Sequence, residues 1–244
     1  LPACSFAEKD GTFTNTERRV QRVRQAVPPV GDSRPDWQIV CDLARRLGGK
    51  GFDYSHPSEI MDEVAHLTPA YGGISFERLE KGGLQWPCPT AEHPGTVYLH
   101  QDRFVRGKGK FMPLAYRPPA EQADADYPLV LTTERSLYHY HTGTMTRKVE
   151  GLNTLRREEL VEINPADAQK LGVADGDVVR VSSRRGRVTA KAKLTKASPP
   201  GVISMTFHFT ETRTNLLTNP ALDPIAKIPE FKVAAVKVEK YQGG

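Results

Sequence analysis

Past residue 128 no apolar run in this chain is longer than a short strand, and turn residues follow each one, which leaves few ways to bury them. Leu129-Val130-Leu131 opens one strand and Leu160-Val161-Glu162-Ile163 another. Asn164-Pro165 has the form of a helix start, with Asn as cap and Pro at the first helical position, and the short helix runs through Ala166, Ala168 and Leu171 to Gly172. Ala174-Asp175-Gly176-Asp177 turns the chain into a strand over Val178 to Ser182. Arg185-Gly186 then makes a hairpin into the alternating run Val188 to Leu194. Pro199-Pro200-Gly201 leads into Val202 to Phe207, and Lys232 to Val238 is a last alternating strand. One short helix cannot cover both faces of an open parallel sheet, so the pattern predicts a small closed barrel.

Residues 1–124 read differently, as a helical, loop-rich domain, with the boundary to the barrel domain (125–244) placed near 124. Turn chemistry surrounds the basic stretch Arg18 to Arg24. A helix over about 35–47 starts at Pro35, carries Trp37, Val40, Leu43, Ala44 and Leu47 at helical spacing, and stops at Gly48-Gly49. A second, about 57–67, starts at Pro57 and would bury Ile60, Met61, Val64, Ala65 and Leu67. Residues 68–128 are dense in Gly, Pro and aromatics, the text of ordered loops, and Glu121 to Asp126 reads as a polar linker.

With 244 residues the chain has room for one large domain or two small ones. No run approaches the ~18 apolar residues of a membrane span. The net charge of +5, from 34 basic and 29 acidic residues, suits an anionic ligand and is mild for a nucleic-acid binder. Cys4, Cys41 and Cys88 form no CxxC pair, which argues against a disulfide framework, a zinc ribbon or a cluster held by this chain alone, and for reduced thiols in a cytoplasmic protein. The opening Leu1-Pro2-Ala3-Cys4, without Met, reads as a sequence entered partway through.

The segment richest in chemistry is 131–147. The hydroxyls of Thr133, Thr142, Thr144 and Thr146 and the backbone around Gly143 can wrap phosphate oxygens, with Arg135 and Arg147 adding charge-assisted bonds. A polar surface hairpin has the same composition. His139 and His141 sit at strand spacing for metal ligation, but no third ligand stands nearby in an obvious pattern. Tyr138-His139-Tyr140 and Phe207-His208-Phe209 can stack on a heterocycle or pack a core. Arg184-Arg185-Gly186-Arg187 reads as a solvated turn. Neither a nucleophile elbow, a GxGxxG nor a Walker loop is present.

Three ordered blocks carry a resemblance: LTTERSLYHYHTGTMTR, EINPADAQKLGVADGDVVRVSSRRG and TNLLTNPALDPIAKIPEFKVAAVKVE. Together they resemble the C-terminal third of molybdopterin-dependent oxidoreductases of the dimethyl sulfoxide reductase family. The opening FAEKDGTFTNTERRVQ and PDWQIVCDLARRLG resemble the region before it, and with Gln85 to Cys88 they are most similar to formate dehydrogenase catalytic subunits. The HYHTGTMTR run is also similar to periplasmic and assimilatory nitrate reductases.

The resemblance implies a mixed α/β chain whose C-terminal part is a six-stranded double-psi β-barrel closing over a bis(molybdopterin guanine dinucleotide) cofactor with Mo or W. It implies contacts to that cofactor's pyrophosphate and pterin from Thr133, Arg135, Ser136, His139, His141, Thr142, Gly143, Thr144 and Thr146. Phe207, His208, Asn215, Phe231 and Lys232 follow on later loops. It assigns no catalytic and no metal-ligating residue to this chain, which alone would be inactive. The [4Fe-4S] motif and the residues at the metal belong to an N-terminal part, on the same or a separate chain, and iron–sulfur electron-transfer subunits are the expected partners. Alternatives are a nitrate or other oxoanion reductase of the same family, and a free-standing barrel that binds without redox chemistry. A nucleic-acid partner has least support.

Overall fold

The computed structural model describes residues 1–242. The chain divides into two compact units between Met112 and Pro113.

In the first unit β1 (Gly11–Thr14) and β2 (Arg19–Val23) form an antiparallel hairpin, an element the turn-rich opening did not reveal. α1 (Asp36–Arg46), α2 (Pro57–Leu67) and the single turn α3 (Phe76–Leu79) follow, and β3 (Leu84–Gln85) joins the sheet beside β2. Pro35 is the cap of α1 rather than its first residue, whereas Pro57 does open α2. The core is small: Val20, Met61, Ile74, Leu79 and Cys88, with Tyr71 stacked on Trp86. Of the two long helices only α2 contributes to it, through Met61. Cys41 is the buried residue of α1 and Met61 that of α2, so the apolar stripes expected to pack are largely open. Leu43 is 54% exposed, Leu47 79% and Leu67 68%. Cys4, Cys41 and Cys88 are all buried and unpaired.

The second unit is the barrel. Its strands are β4 (Leu129–Thr133), β5 (Leu160–Ile163), β6 (Val178–Ser182), β7 (Arg187–Leu194), β8 (Val202–Met205) and β9 (Ala234–Lys240). They close in the order β4-β8-β5-β7-β6-β9. β4 runs parallel to β8 and β5 parallel to β7, while the remaining neighbours are antiparallel. A closed six-stranded barrel with two such crossed parallel pairs is a double-psi β-barrel. Alternation puts Leu131, Val161, Ile163, Val179, Val181, Ile203, Met205 and Val236 inside, all fully buried. α4 (Glu150–Leu155) lies in the loop after β4, and α5 (Pro165–Leu171) follows β5. Asn164 caps α5 by accepting the Ala166 N–H (3.0 Å) and donates to the Ser198 carbonyl (2.8 Å). Gly172, at φ +65°, ends the helix in the left-handed conformation that suits glycine.

β7 begins one residue before its expected start, at Arg187, and β9 runs on past Val238 to Lys240; two other strand ends differ for a physical reason. β8 stops at Met205 because the Thr206 N–H leaves the ladder for the Glu159 carboxylate (2.9 Å). β9 starts at Ala234 because Phe231 and Lys232 form a turn and the Val233 carbonyl is taken by the Asn219 side-chain amide.

The stretch read as a linker is fastened to the barrel. Glu121, its side chain 12% exposed, accepts from Arg185 (2.8 and 3.0 Å), from Arg184 (2.8 Å) and from the Ala235 N–H (3.2 Å), and Asp124 pairs with Arg184. The arginine-rich hairpin turn is therefore an ion-paired clamp rather than a solvated tip. Burial alone would raise the Glu121 carboxyl, but the bonds from Arg185, the Ala235 N–H and Arg184 outweigh it and hold it below the usual glutamate value. Its stabilising contribution is present above that usual value and is lost as pH falls through the lowered one. We expect Glu121→Gln to cost about 1–3 kcal/mol at neutral pH. In urea unfolding, the gap between variant and parent should close as the pH is lowered.

Candidate functional site

The parallel pairing of β4 with β8 brings the two richest loops together. Thr133 stands beside Met205 at the ends of these strands, so the segments that follow, 134–147 and 206–213, leave the barrel at one rim. β9 is antiparallel to β4 and β5 antiparallel to β8, which puts the residues before β9 (Phe231, Lys232) and before β5 (Glu159) at that rim as well. Four segments distant in sequence thus meet.

Polar side chains, several of them buried, fasten them. The Thr133 hydroxyl donates to the Phe231 carbonyl (3.0 Å), and Lys232 donates to the Thr133 carbonyl. His208 is fully buried, and both ring nitrogens are engaged: Nε2 accepts the Ser136 N–H (2.9 Å) and Nδ1 donates to the His141 carbonyl. A backbone N–H can only donate and a carbonyl only accept, so the ring is the neutral tautomer with its proton on Nδ1. His139, also buried, donates from Nε2 to the Arg156 carbonyl (2.6 Å) and accepts the Thr146 hydroxyl at Nδ1 (3.2 Å), while the Thr146 oxygen takes the Tyr140 N–H (3.1 Å). The ring of His139 meets Phe209 edge-on, centroids 5.4 Å apart. Gly143, at φ +72°, lies so close to the next loop that a Cβ would stand 2.7 Å from the His208 carbonyl oxygen.

Above these fasteners lie the free donors. Arg135, Thr142 and Thr144 are exposed, with no side-chain hydrogen bond among the described residues, and the Arg135 guanidinium sits 5.9 Å from the Phe207 ring centre. His141 is exposed at φ +46°, its ring against Tyr140. Ser136 lends its hydroxyl to the Tyr138 N–H (3.3 Å), and the Phe231 ring is half open to solvent. Asn215 is exposed on the turn Thr214–Leu216, which packs beside β7, and no side-chain bond joins it to the loop 134–147. The two histidines do not converge as a metal pair, because His139 is consumed inside and His141 points to solvent.

Three features of the rim were not legible in sequence. Arg147, read as a ligand contact, is held bidentately by Glu211 (2.7 and 2.8 Å) and lies over the Phe209 ring (4.9 Å). Glu159, nearly fully buried, receives both the N–H and the hydroxyl of Thr206 (2.9 and 2.5 Å) and faces Arg156 at 3.8 Å. The i,i+3 spacing of Arg156 and Glu159 was the one available hint. Glu134 lies at the head of the loop, where burial first, and then the Glu162 charge, push its carboxyl above the usual value against the opposing Ser204 hydroxyl and Arg156.

The open donor set, a guanidinium, hydroxyls and a glycine turn flanked by aromatic faces, fits a pyrophosphate-bearing dinucleotide: its phosphates need donors and its ring system a flat apolar neighbour. Residues 129–235 match the family of molydopterin dinucleotide binding domains, and residues 1–46 match molybdopterin oxidoreductases. The chain belongs to the molybdopterin oxidoreductase family.

Within that family it is 51% identical over 243 residues to the F420-dependent formate dehydrogenase subunit alpha of Methanocaldococcus jannaschii, a match covering 98% of this chain and 36% of the relative. It is 38% identical over 249 residues to the assimilatory nitrate reductase catalytic subunit of Bacillus subtilis, covering 98% of this chain and 35% of the relative. The chain thus spans about a third of the length of these relatives. Acetylene hydratase from Pelobacter acetylenicus shares the fold at a TM-score of 0.73 and 19% identity, over 99% of this chain and 38% of that one.

Two outcomes follow. Replacing His208 with Ala leaves the Ser136 N–H and the His141 carbonyl without partners and opens a cavity, so we expect a loss of about 2–4 kcal/mol and faster amide exchange at Ser136 by hydrogen–deuterium exchange. For Glu134, a carboxyl raised on folding contributes stability below the usual glutamate value and loses it as pH rises through the raised one. Glu134→Gln should therefore raise Tm at pH 8 and leave it nearly unchanged at pH 4, as read by scanning calorimetry.

Proposed function

We propose that this chain is the cofactor-binding portion of a formate dehydrogenase catalytic subunit, in which formate is oxidised to carbon dioxide, or formed from it, at a Mo- or W-bis(molybdopterin guanine dinucleotide) centre held jointly with the rest of the subunit. What supports the reading is the identity of 51% to a formate dehydrogenase alpha subunit along nearly the whole chain, against 38% to a nitrate reductase over the same span. When bound, the metal of that cofactor supplies the two-electron chemistry.

The residues of this chain bind and orient. The Arg135 guanidinium and the Thr142 and Thr144 hydroxyls donate to phosphate oxygens, which charge-assisted bonds favour. The rings of Phe207 and Phe231 flank the heterocycles, and Asn215 and His141 offer an amide and an imidazole to their edges. Ser136, Thr133, Thr146, His139, His208 and Lys232 set the shape of the loops that carry these groups. A [4Fe-4S] cluster, which the remainder of the subunit would hold, and iron–sulfur partner subunits would supply the electron transfer. The three unpaired thiols fit a cytoplasmic, reducing compartment.

The test is metal and pterin analysis of the native complex purified through this chain, followed by turnover with formate and with nitrate. The reading expects Mo or W near one per catalytic subunit, with formate oxidised and nitrate untouched. Absence of both metals from an intact complex would contradict it in favour of a barrel that binds without redox chemistry. Nitrate reduction without formate oxidation would move the substrate to the oxoanion reductases.

A further inference from the structure

The outer face of the β6–β7 hairpin carries a groove of about 620 Å³, bounded on one side by residues 210–213 of the rim loop and separate from the open donors Arg135, Thr142 and Thr144. Arg180, Arg187 and Arg213 line it, with the hydroxyls of Thr189, Thr210 and Thr212 and one carboxylate, Glu211, whose charge is matched by Arg147. None of the three arginines has a carboxylate within ion-pair distance among the described residues. The acidic groups nearest them are already committed: Glu211 to Arg147 (2.7 and 2.8 Å), and Glu239, opposite Arg180 on β9, to Lys237 (3.3 Å). Two of the guanidiniums are oriented from within the protein. Arg180 lies over the Tyr241 ring (4.7 Å), and Arg213, at φ +49°, donates from Nε to the Thr210 carbonyl (3.4 Å), leaving its terminal N–H groups free.

From this arrangement we infer that the groove docks an extended acidic segment of a partner protein. In the hairpin ladder Arg180 stands opposite Thr189 and Ser182 opposite Arg187, so the two arginines occupy diagonal positions on one face. Diagonal neighbours across strands lie ~7–8 Å apart. An extended peptide presents same-side residues every second position, roughly 6.6 Å apart. A row of Asp or Glu side chains therefore meets the two guanidiniums in register, with Arg213 closing the groove from the turn above. Each planar fork can take a carboxylate bidentately, as Arg147 takes Glu211 in the same structure. A single phosphate group needs donors gathered about one point, whereas these are set out along the face.

The claim is independent of the cofactor reading. The experiment uses the complete catalytic subunit and a fluorescent, alternating Asp-Glu peptide followed by anisotropy at low and moderate salt, with inorganic pyrophosphate as competitor. The peptide should bind with an affinity that falls as salt rises. Arg187→Gln and Arg213→Gln should each weaken it about 2- to 5-fold, and the double variant roughly 10-fold. Lys196→Gln removes the same charge from an exposed turn elsewhere and should leave binding unchanged. Equal weakening by Lys196→Gln would reduce the effect to overall charge and overturn the proposal, as would no binding. Displacement of the peptide by pyrophosphate at lower concentration, lost in the arginine variants, would reassign the groove to a phosphate ligand.

Discussion

Val130 to Thr133 of β4 run parallel to Val202 to Met205 of β8, and the rest of the site depends on that pairing. Parallel neighbours end on the same side, so the loops after each strand emerge together although some seventy residues separate them (for example Ser136 and His208, |i−j| = 72). In an antiparallel meander those loops would leave at opposite ends. The crossed connection that produces parallel strands in a small barrel is thus what allows one rim to be built from four segments.

Once the loops are adjacent, the chain divides labour between what is buried and what is open. The inward set, buried Thr133, His139, Glu159 and His208 with half-buried Thr146, spends its polar atoms on backbone and on neighbouring side chains. A buried polar group left unpaired is costly, so each such bond also specifies one arrangement of the loop. The open set, Arg135, Thr142 and Thr144, has no side-chain hydrogen bond among the described residues, so its donors stand free at the surface. Arg147 and Glu211 brace the two loops from outside, with Phe209 beneath the guanidinium.

The sequence made the barrel legible because short strands, a capped helix and turn residues agree locally: β5, β6 and α5 fall where Leu160 to Ile163, Val178 to Ser182 and Asn164-Pro165 place them. The strand-poor opening hid the local hairpin of β1 and β2, whose short, Arg- and Thr-rich strands are only partly buried and carry little apolar alternation; β2 alone also takes a distant partner, β3. Periodicity predicts packing for the stripes of α1 and α2 because it reports which face is apolar and not whether anything covers it. In the site, composition identified the loop but could not sort its members. His139 and His208 have the residue type of ligand contacts, and only their hydrogen-bond partners show them to be fasteners. Glu121 looked like linker because its arginines lie on a hairpin sixty-odd residues away (|i−j| = 63 and 64).

The most direct measurement is an experimental structure of the complete catalytic subunit with its cofactor bound. The dinucleotide pyrophosphate should lie about 3 Å from donors of Arg135, Thr142 or Thr144, with the His208 ring beneath the loop and out of contact with the ligand. A pyrophosphate seated away from the 134–147 loop, or a His208 ring turned outward to hydrogen-bond the cofactor, would contradict the division between buried fasteners and open donors on which the site has been built.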